Sequence, residues 1–371
     1  SCQQKIAHAC PMRSAPTFTA VVLIGFLLAY QFTTNPFLPD TEKQLNHKWQ
    51  EKGTIPQSKF EEIWPTLQDK LCPNYDPRYQ LGSRLFMAAR REMNITDWKL
   101  EGGNEEWFYY GYFIEPAIFY GHSRNKKASF EYVRIWKAAN SQILLWLEKN
   151  FHKANAADIT SSNSTPCYFT AIRDPISHFL SGYNEVETRS NNGKWWVSDE
   201  VKKLSYMKKG RQSVGSTERF NMYVHDLLTA SNFHPWWLHM HTNSMSRILP
   251  ILKNEGKKLD GYLSSIENIT STLLPFINTT CPGILNSTEA HSKMEVMGQH
   301  TSSKDPFNTY AAAKNVWKEN GPTARALCAL HAMDYACWRD LPDGVPQLCQ
   351  DVYSSDMFLD TVKFSELIGM D

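Results

Sequence analysis

Residues 130–136 read FEYVRIW, residues 137–141 KAANS and residues 142–151 QILLWLEKNF. β-Branched and aromatic residues fill the first run, small residues the second, and apolar residues recur at helical spacing in the third, which predicts strand, turn and helix. The same order returns further on. CYFTAI (167–172) has the make-up of a buried strand, Arg173-Asp174-Pro175 ends it, and ISHFLSGYNEV (176–186) reads as a helix. The 36 positions from Lys137 to Arg173 suffice for one crossover, so two adjacent parallel strands are expected. The fold class is therefore α/β, a central parallel sheet flanked by helices.

Composition fits a sizeable core. The 371 residues include 12 Trp, 16 Tyr and 19 Phe, and 39 Lys+Arg against 38 Asp+Glu leave a formal charge of +1. That many aromatics at near-neutral charge exclude a disordered chain. The balance also argues against nucleic acid as a partner, because neutralising phosphates takes a strongly basic domain. Any anion site must be local.

Residues 14–32, SAPTFTAVVLIGFLLAYQF, carry no charge. Signal-peptide core, buried helix and membrane anchor all fit so short a span. Lys5 and Arg13 precede it and no basic residue follows until Lys43, which orients the rest of the chain away from the cytoplasm. No small-x-small cleavage site follows, so the expectation is a cytoplasmic tail (1–13), an uncleaved signal anchor (14–32), a polar stem (33–56) and a lumenal domain (57–371). Sequons at Asn94, Asn163, Asn268, Asn278 and Asn286 agree with that placement. So do Cys72, Cys167, Cys281, Cys328, Cys337 and Cys349, an even lumenal set suited to as many as three disulfides. No CxxC or HExxH string occurs, and no metal site is expected. The aromatic stretch WFYYGYFIEPAIFY (107–120) reads as a buried strand pair rather than a sugar-stacking surface.

In an open α/β sheet, strand exits and helix N-termini share a crevice where backbone N–H groups and the helix dipole favour phosphate. Lys137 stands at the first strand's exit and can place a cation there. Asn140 and Ser141 can cap the helix, and Ala138 and Ala139 allow close backbone approach. The loop lacks the GxxxxGK[ST] of nucleoside triphosphate P-loops. Arg173 follows the second strand directly, and Ser181 lies two turns into the next helix, so the pair suits a second phosphate.

Beyond their chemistry, these stretches resemble a known family. IWKAANS is similar to the 5′-phosphosulfate loop, and AIRDPISHFLSGY to the 3′-phosphate motif, of Golgi carbohydrate sulfotransferases, whose donor is 3′-phosphoadenosine 5′-phosphosulfate. HMHTNSMSRIL (239–249), GYLSSIEN (261–268) and LCALHAMDYACW (327–338) resemble further family segments in the same order. The resemblance covers residues 130–338. It implies a P-loop-like three-layer fold, a type II Golgi membrane protein, and a carbohydrate hydroxyl as sulfonate acceptor. It also implies that Lys137 contacts the sulfonate and bridging oxygen, that Ala138, Ala139, Asn140, Ser141 and Gln142 wrap the 5′-phosphate, and that Arg173 and Ser181 hold the 3′-phosphate.

The acceptor hydroxyl must lose a proton as it attacks sulfur, so a base should stand within hydrogen-bond reach. Candidates are His239, His241 and Glu185, with His122 upstream; the short stretch between the two motifs holds one histidine, His152. His300 to Ser303 is a candidate closing loop, more simply a plain loop. Lys202, Lys203, Lys208, Lys209 and Arg211 form a basic run that reads as a solvated helix face. Two other readings share the anchor and sequons: a Golgi glycosyltransferase, although no DxD string occurs, and a glycan-binding ectodomain, which would need neither Lys137 nor Arg173.

Overall fold

The structure, a computed structural model, describes residues 57–72, 81–96, 108–109, 118–123, 128–156, 165–192, 198–230, 233, 241–266, 269–285, 305–364 and 366. The expected tail, anchor and stem, most of the 107–120 aromatic stretch, His239, and His300 to Ser303 lie outside them. Among the described residues no helix is long and apolar enough to cross a membrane.

Five strands form one mixed sheet: β1 (Ile118–His122), β2 (Ser129–Val133), β3 (His152–Lys153), β4 (Cys167–Ala171) and β5 (Gly261–Leu263), in the order β3-β1-β2-β4-β5. β2, β4 and β5 run parallel, as the two strand–helix units predict. β1 is antiparallel to β2, and β3 is antiparallel to β1, which corrects the all-parallel expectation. The cause is the connection. Only six residues separate His122 from Ser129, enough for a hairpin but far short of a parallel crossover.

β2 is buried along its whole length. Phe130 and Tyr132, with Phe169 and Ala171 of β4, pack against Ile143, Trp146 and Leu147, which lie on the helix Asn140–Asn150. Leu273 and Ile277, from the helix Ile269–Thr280, complete that layer. Val133 and Ile172 belong to the opposite face. There a larger core gathers the helices Gln57–Leu71, Leu81–Glu92, Pro175–Asn191 and Thr217–Thr229 with those that follow residue 305. Helices thus cover both faces of the sheet, and the parallel strands open at one edge. Below, α1 denotes Asn140–Asn150 and α2 denotes Pro175–Asn191.

All six cysteines from Cys72 on are paired: Cys72–Cys337, Cys167–Cys281 and Cys328–Cys349. The first closes 265 residues and the second 114, so both restrict the unfolded chain strongly. Of the sequon asparagines, Asn94 and Asn278 are described and both are exposed.

Candidate functional site

The register of β2 on β4 pairs Val133 with Thr170, so Lys137 and Arg173 leave the sheet at the same edge, from neighbouring strands. Thr170 reinforces the junction by donating its hydroxyl to the Val133 carbonyl at 2.6 Å.

Between β2 and α1 the backbone turns left-handed twice, at Lys137 (φ 67°) and Ala139 (φ 52°). For a residue with a Cβ each such turn costs roughly 1 kcal/mol. The Ala138 N–H closes a turn onto the Ile135 carbonyl, and the Ala139 carbonyl accepts the first helical N–H groups, from Gln142 and Ile143. Among the described residues no acceptor meets the N–H groups of Lys137, Ala139, Asn140 or Ser141. Two left-handed residues with one between them, followed by a free helix N-terminus, make a concavity of N–H groups suited to an anion. Asn140 turns its side chain away from that role: its amide oxygen accepts from Arg134, whose guanidinium lies 4.7 Å over the Trp136 ring.

The second motif divides its labour. Asp174 caps α2 by accepting the Ser177 N–H at 2.7 Å, Pro175 takes the first helical position, and the Tyr335 hydroxyl donates to the other Asp174 oxygen at 2.7 Å. Arg173, half-buried beside them, makes no hydrogen bond or ion pair among the described residues. It lines a small, open surface depression with Asp174, Ser264, Ile266, Leu341, Asp343 and Gly344, at the exits of β4 and β5. Lys137 is not in that lining; it stands on the neighbouring strand's exit.

α2 joins the two motifs. Ser181, Glu185 and Arg189 recur every fourth residue along it. Lys137 Nζ lies 3.1 Å from Glu185 Oε2, both side chains about a quarter exposed, and Arg189 bonds the other carboxylate oxygen. Burial raises the Glu185 pKa, but the two cations outweigh it and bring the carboxyl down to about 2. At Gly182 an added Cβ would stand 1.9 Å from the His241 carbonyl oxygen, so only glycine admits the 241–242 backbone here. That approach seats His241 edge-on against Trp136, with ring centroids 5.5 Å apart. Burial, and then the Lys137 charge, lower the His241 pKa to about 3.

The structure thus gathers Lys137, Glu185 and His241, but sets His122 and His152 apart from them. His122 faces Ser129 and His152 across the sheet, at the end opposite the Lys137 loop. Neither can serve there, because the antiparallel β1 carries its C-terminal residue to the start of β2. The basic run is a solvated face, as expected, with Lys202, Lys203 and Lys209 paired to Asp199, Glu200 and Glu218. Arg189 and His178 were not singled out in the sequence. The spacing from Glu185 pointed to the first; a lone histidine in an apolar helix face was the only sign of the second.

Behind the site lies a buried polar knot. Asp334 accepts from the Ser244 hydroxyl (2.7 Å), the Ser246 N–H (2.8 Å) and His331 Nδ1 (2.7 Å). Burial raises its pKa, yet these donors outweigh burial and leave it below the ordinary value. The closing segment is two helices, Pro322–Leu330 and Ala332–Cys337, broken at His331. His331 and Asp334 are fully buried and cannot touch a substrate.

His178 and His241 give a pH signature. Burial, before any other cause, holds both at about 3. Unfolded, each returns to about 6.5, so below that pH the unfolded chain binds protons that the folded chain refuses. Stability is expected to fall as pH drops through 6.5, by about 1 kcal/mol per histidine at pH 5.5. Urea unfolding at pH 7.5 and 5.5 checks this; equal midpoints would contradict it.

Among the described residues no group of three or more His, Cys, Asp or Glu side chains is placed to hold a metal. No family model, curated protein or solved structure matches the chain.

Proposed function

We propose that this chain is a sulfotransferase of P-loop-like fold that moves the sulfonate of 3′-phosphoadenosine 5′-phosphosulfate to a hydroxyl of a carbohydrate. The observation that carries the reading is the pairing, on one sheet edge, of a loop beside Lys137 whose N–H groups meet no acceptor among the described residues with the Arg173 guanidinium, which meets no partner among them. A doubly phosphorylated nucleotide has an anion for each.

In this reading the N–H groups of Ala139, Asn140 and Ser141 hold the 5′-phosphate, and Arg173 with the Ser181 hydroxyl holds the 3′-phosphate. The acceptor oxygen bonds to sulfur while the bond from sulfur to the bridging phosphate oxygen breaks, and that oxygen keeps the electron pair. Lys137 neutralises the growing charge there. To do so it leaves Glu185, whose carboxylate, now facing Arg189 alone, becomes a better base and takes the hydroxyl proton. His241 is 1% exposed, which suits packing against Trp136 rather than contact with an acceptor. A Golgi-lumenal chain held by an anchor at 14–32 belongs to the same proposal, and three disulfides with exposed Asn94 and Asn278 support it.

Incubating the full chain with radiolabelled donor and a panel of glycans tests the activity. Labelled glycan is expected, and Arg173→Ala should weaken donor binding about ten- to a hundredfold, as loss of a charged hydrogen-bond donor does. Absence of transfer to every glycan, with donor binding indifferent to Arg173, would refute the proposal.

A further inference from the structure

We infer that His178 is a positioning residue: it holds the loop before α1 in its anion-cradling shape and ties that loop to the helix behind Arg173. The inference rests on the donor reading above.

His178 lies in the first turn and a half of α2, and its Nε2 is 2.8 Å from the Trp136 carbonyl oxygen. A carbonyl only accepts, so Nε2 carries the proton and Nδ1 is bare. Nδ1 meets no partner among the described residues. The ring is 1% exposed, and burial, the largest cause, lowers its pKa to about 3, so it is neutral at physiological pH. It is therefore a fixed, uncharged donor with one target.

The consequence follows from the peptide plane. The Trp136–Lys137 peptide is trans, so its C=O and N–H point in opposite directions. With the carbonyl anchored on His178, the Lys137 N–H is aimed away from that histidine. Lys137 then begins the pair of left-handed turns that leaves the N–H groups of Ala139, Asn140 and Ser141 without acceptors among the described residues. Such turns persist only where surrounding bonds hold them. Among the described residues His178 is the Trp136 carbonyl's only hydrogen-bond donor. Four residues separate His178 from Arg173, so a single hydrogen bond joins the loop proposed for the 5′-phosphate to the element proposed for the 3′-phosphate.

The test is calorimetric titration of the full chain, unmodified and as His178→Phe and His178→Gln, with 3′-phosphoadenosine 5′-phosphate and with adenosine 3′-monophosphate. Phe fills the space without donating; Gln offers an amide N–H near the position of Nε2–H. His178→Phe is expected to weaken the bisphosphate about tenfold, the scale of a lost buried hydrogen bond, and the 3′-monophosphate by less than about twofold. His178→Gln should recover most of the loss. Should the Phe variant not fold, His178→Asn, whose shorter amide stops short of the carbonyl, carries the same expectation. Equal losses for both nucleotides, or no loss for the bisphosphate, would overturn the role of His178 and leave the donor reading standing. Failure of the unmodified protein to bind either nucleotide would sink the donor reading and this inference together.

Discussion

Lys137→Ala is expected to cut sulfonate transfer by roughly a thousandfold while changing nucleotide affinity by less than about tenfold. The asymmetry follows from where Lys137 rests. Without ligand its ammonium is committed to Glu185 at 3.1 Å, so engaging the donor trades one ion pair for another and adds little to ground-state binding. In the transition state the trade is different, because charge grows on the bridging oxygen and only a cation placed beforehand answers it. The affinity should instead come from the N–H groups of the loop and from Arg173, none of which this substitution removes. Comparing turnover with the dissociation constant of 3′-phosphoadenosine 5′-phosphate reads both effects. A variant that kept its turnover would show that Lys137 is only a surface partner of Glu185.

Asp334→Ala is expected to cost about 3–5 kcal/mol of stability, read as a fall in the urea midpoint. Its carboxylate is the common acceptor for Ser244, Ser246 and His331, all buried, and deletion leaves three donors without water or protein to meet them. The damage should reach the site, since Tyr335 on the same short helix holds the Asp174 cap beside Arg173. The pH sign follows from the lowered carboxyl. Its folded pKa is below the unfolded value near 4, so the stability it adds is complete above pH 4 and lost as pH falls through the folded value. Asp334→Ala should therefore flatten the acid limb below pH 4. Unfolding midpoints equal to those of the unmodified protein would mean that the knot contributes nothing.

The two strand–turn–helix units were legible because their periodicity is local: β2, α1, β4 and the start of α2 fall within three residues of their expected limits. The sheet's mixed character was not, since it depends on which edge β1 joins, and a six-residue connection decides that only once β1 is recognised as a strand. The same blindness produced His122 as a candidate base; nothing in its neighbourhood reveals that the hairpin carries it to the far end. Lys137, Arg173 and Glu185 were singled out from residue type and position. What could not be read was their commitment. Glu185 is already gripped by Lys137 and Arg189, whereas Arg173 has no partner among the described residues, and neither fact can be read from residue type. Gly182 and His178 belong to the same class, their meaning set by the backbone that packs on them.

The account stands most directly on where the two phosphates of one nucleotide lie. A crystal structure of the full chain with 3′-phosphoadenosine 5′-phosphate is expected to show the 5′-phosphate against the N–H groups of Ala139, Asn140 and Ser141 and the 3′-phosphate on the Arg173 guanidinium. Nucleotide bound elsewhere, or a phosphate on the loop with Arg173 still unengaged, would contradict it.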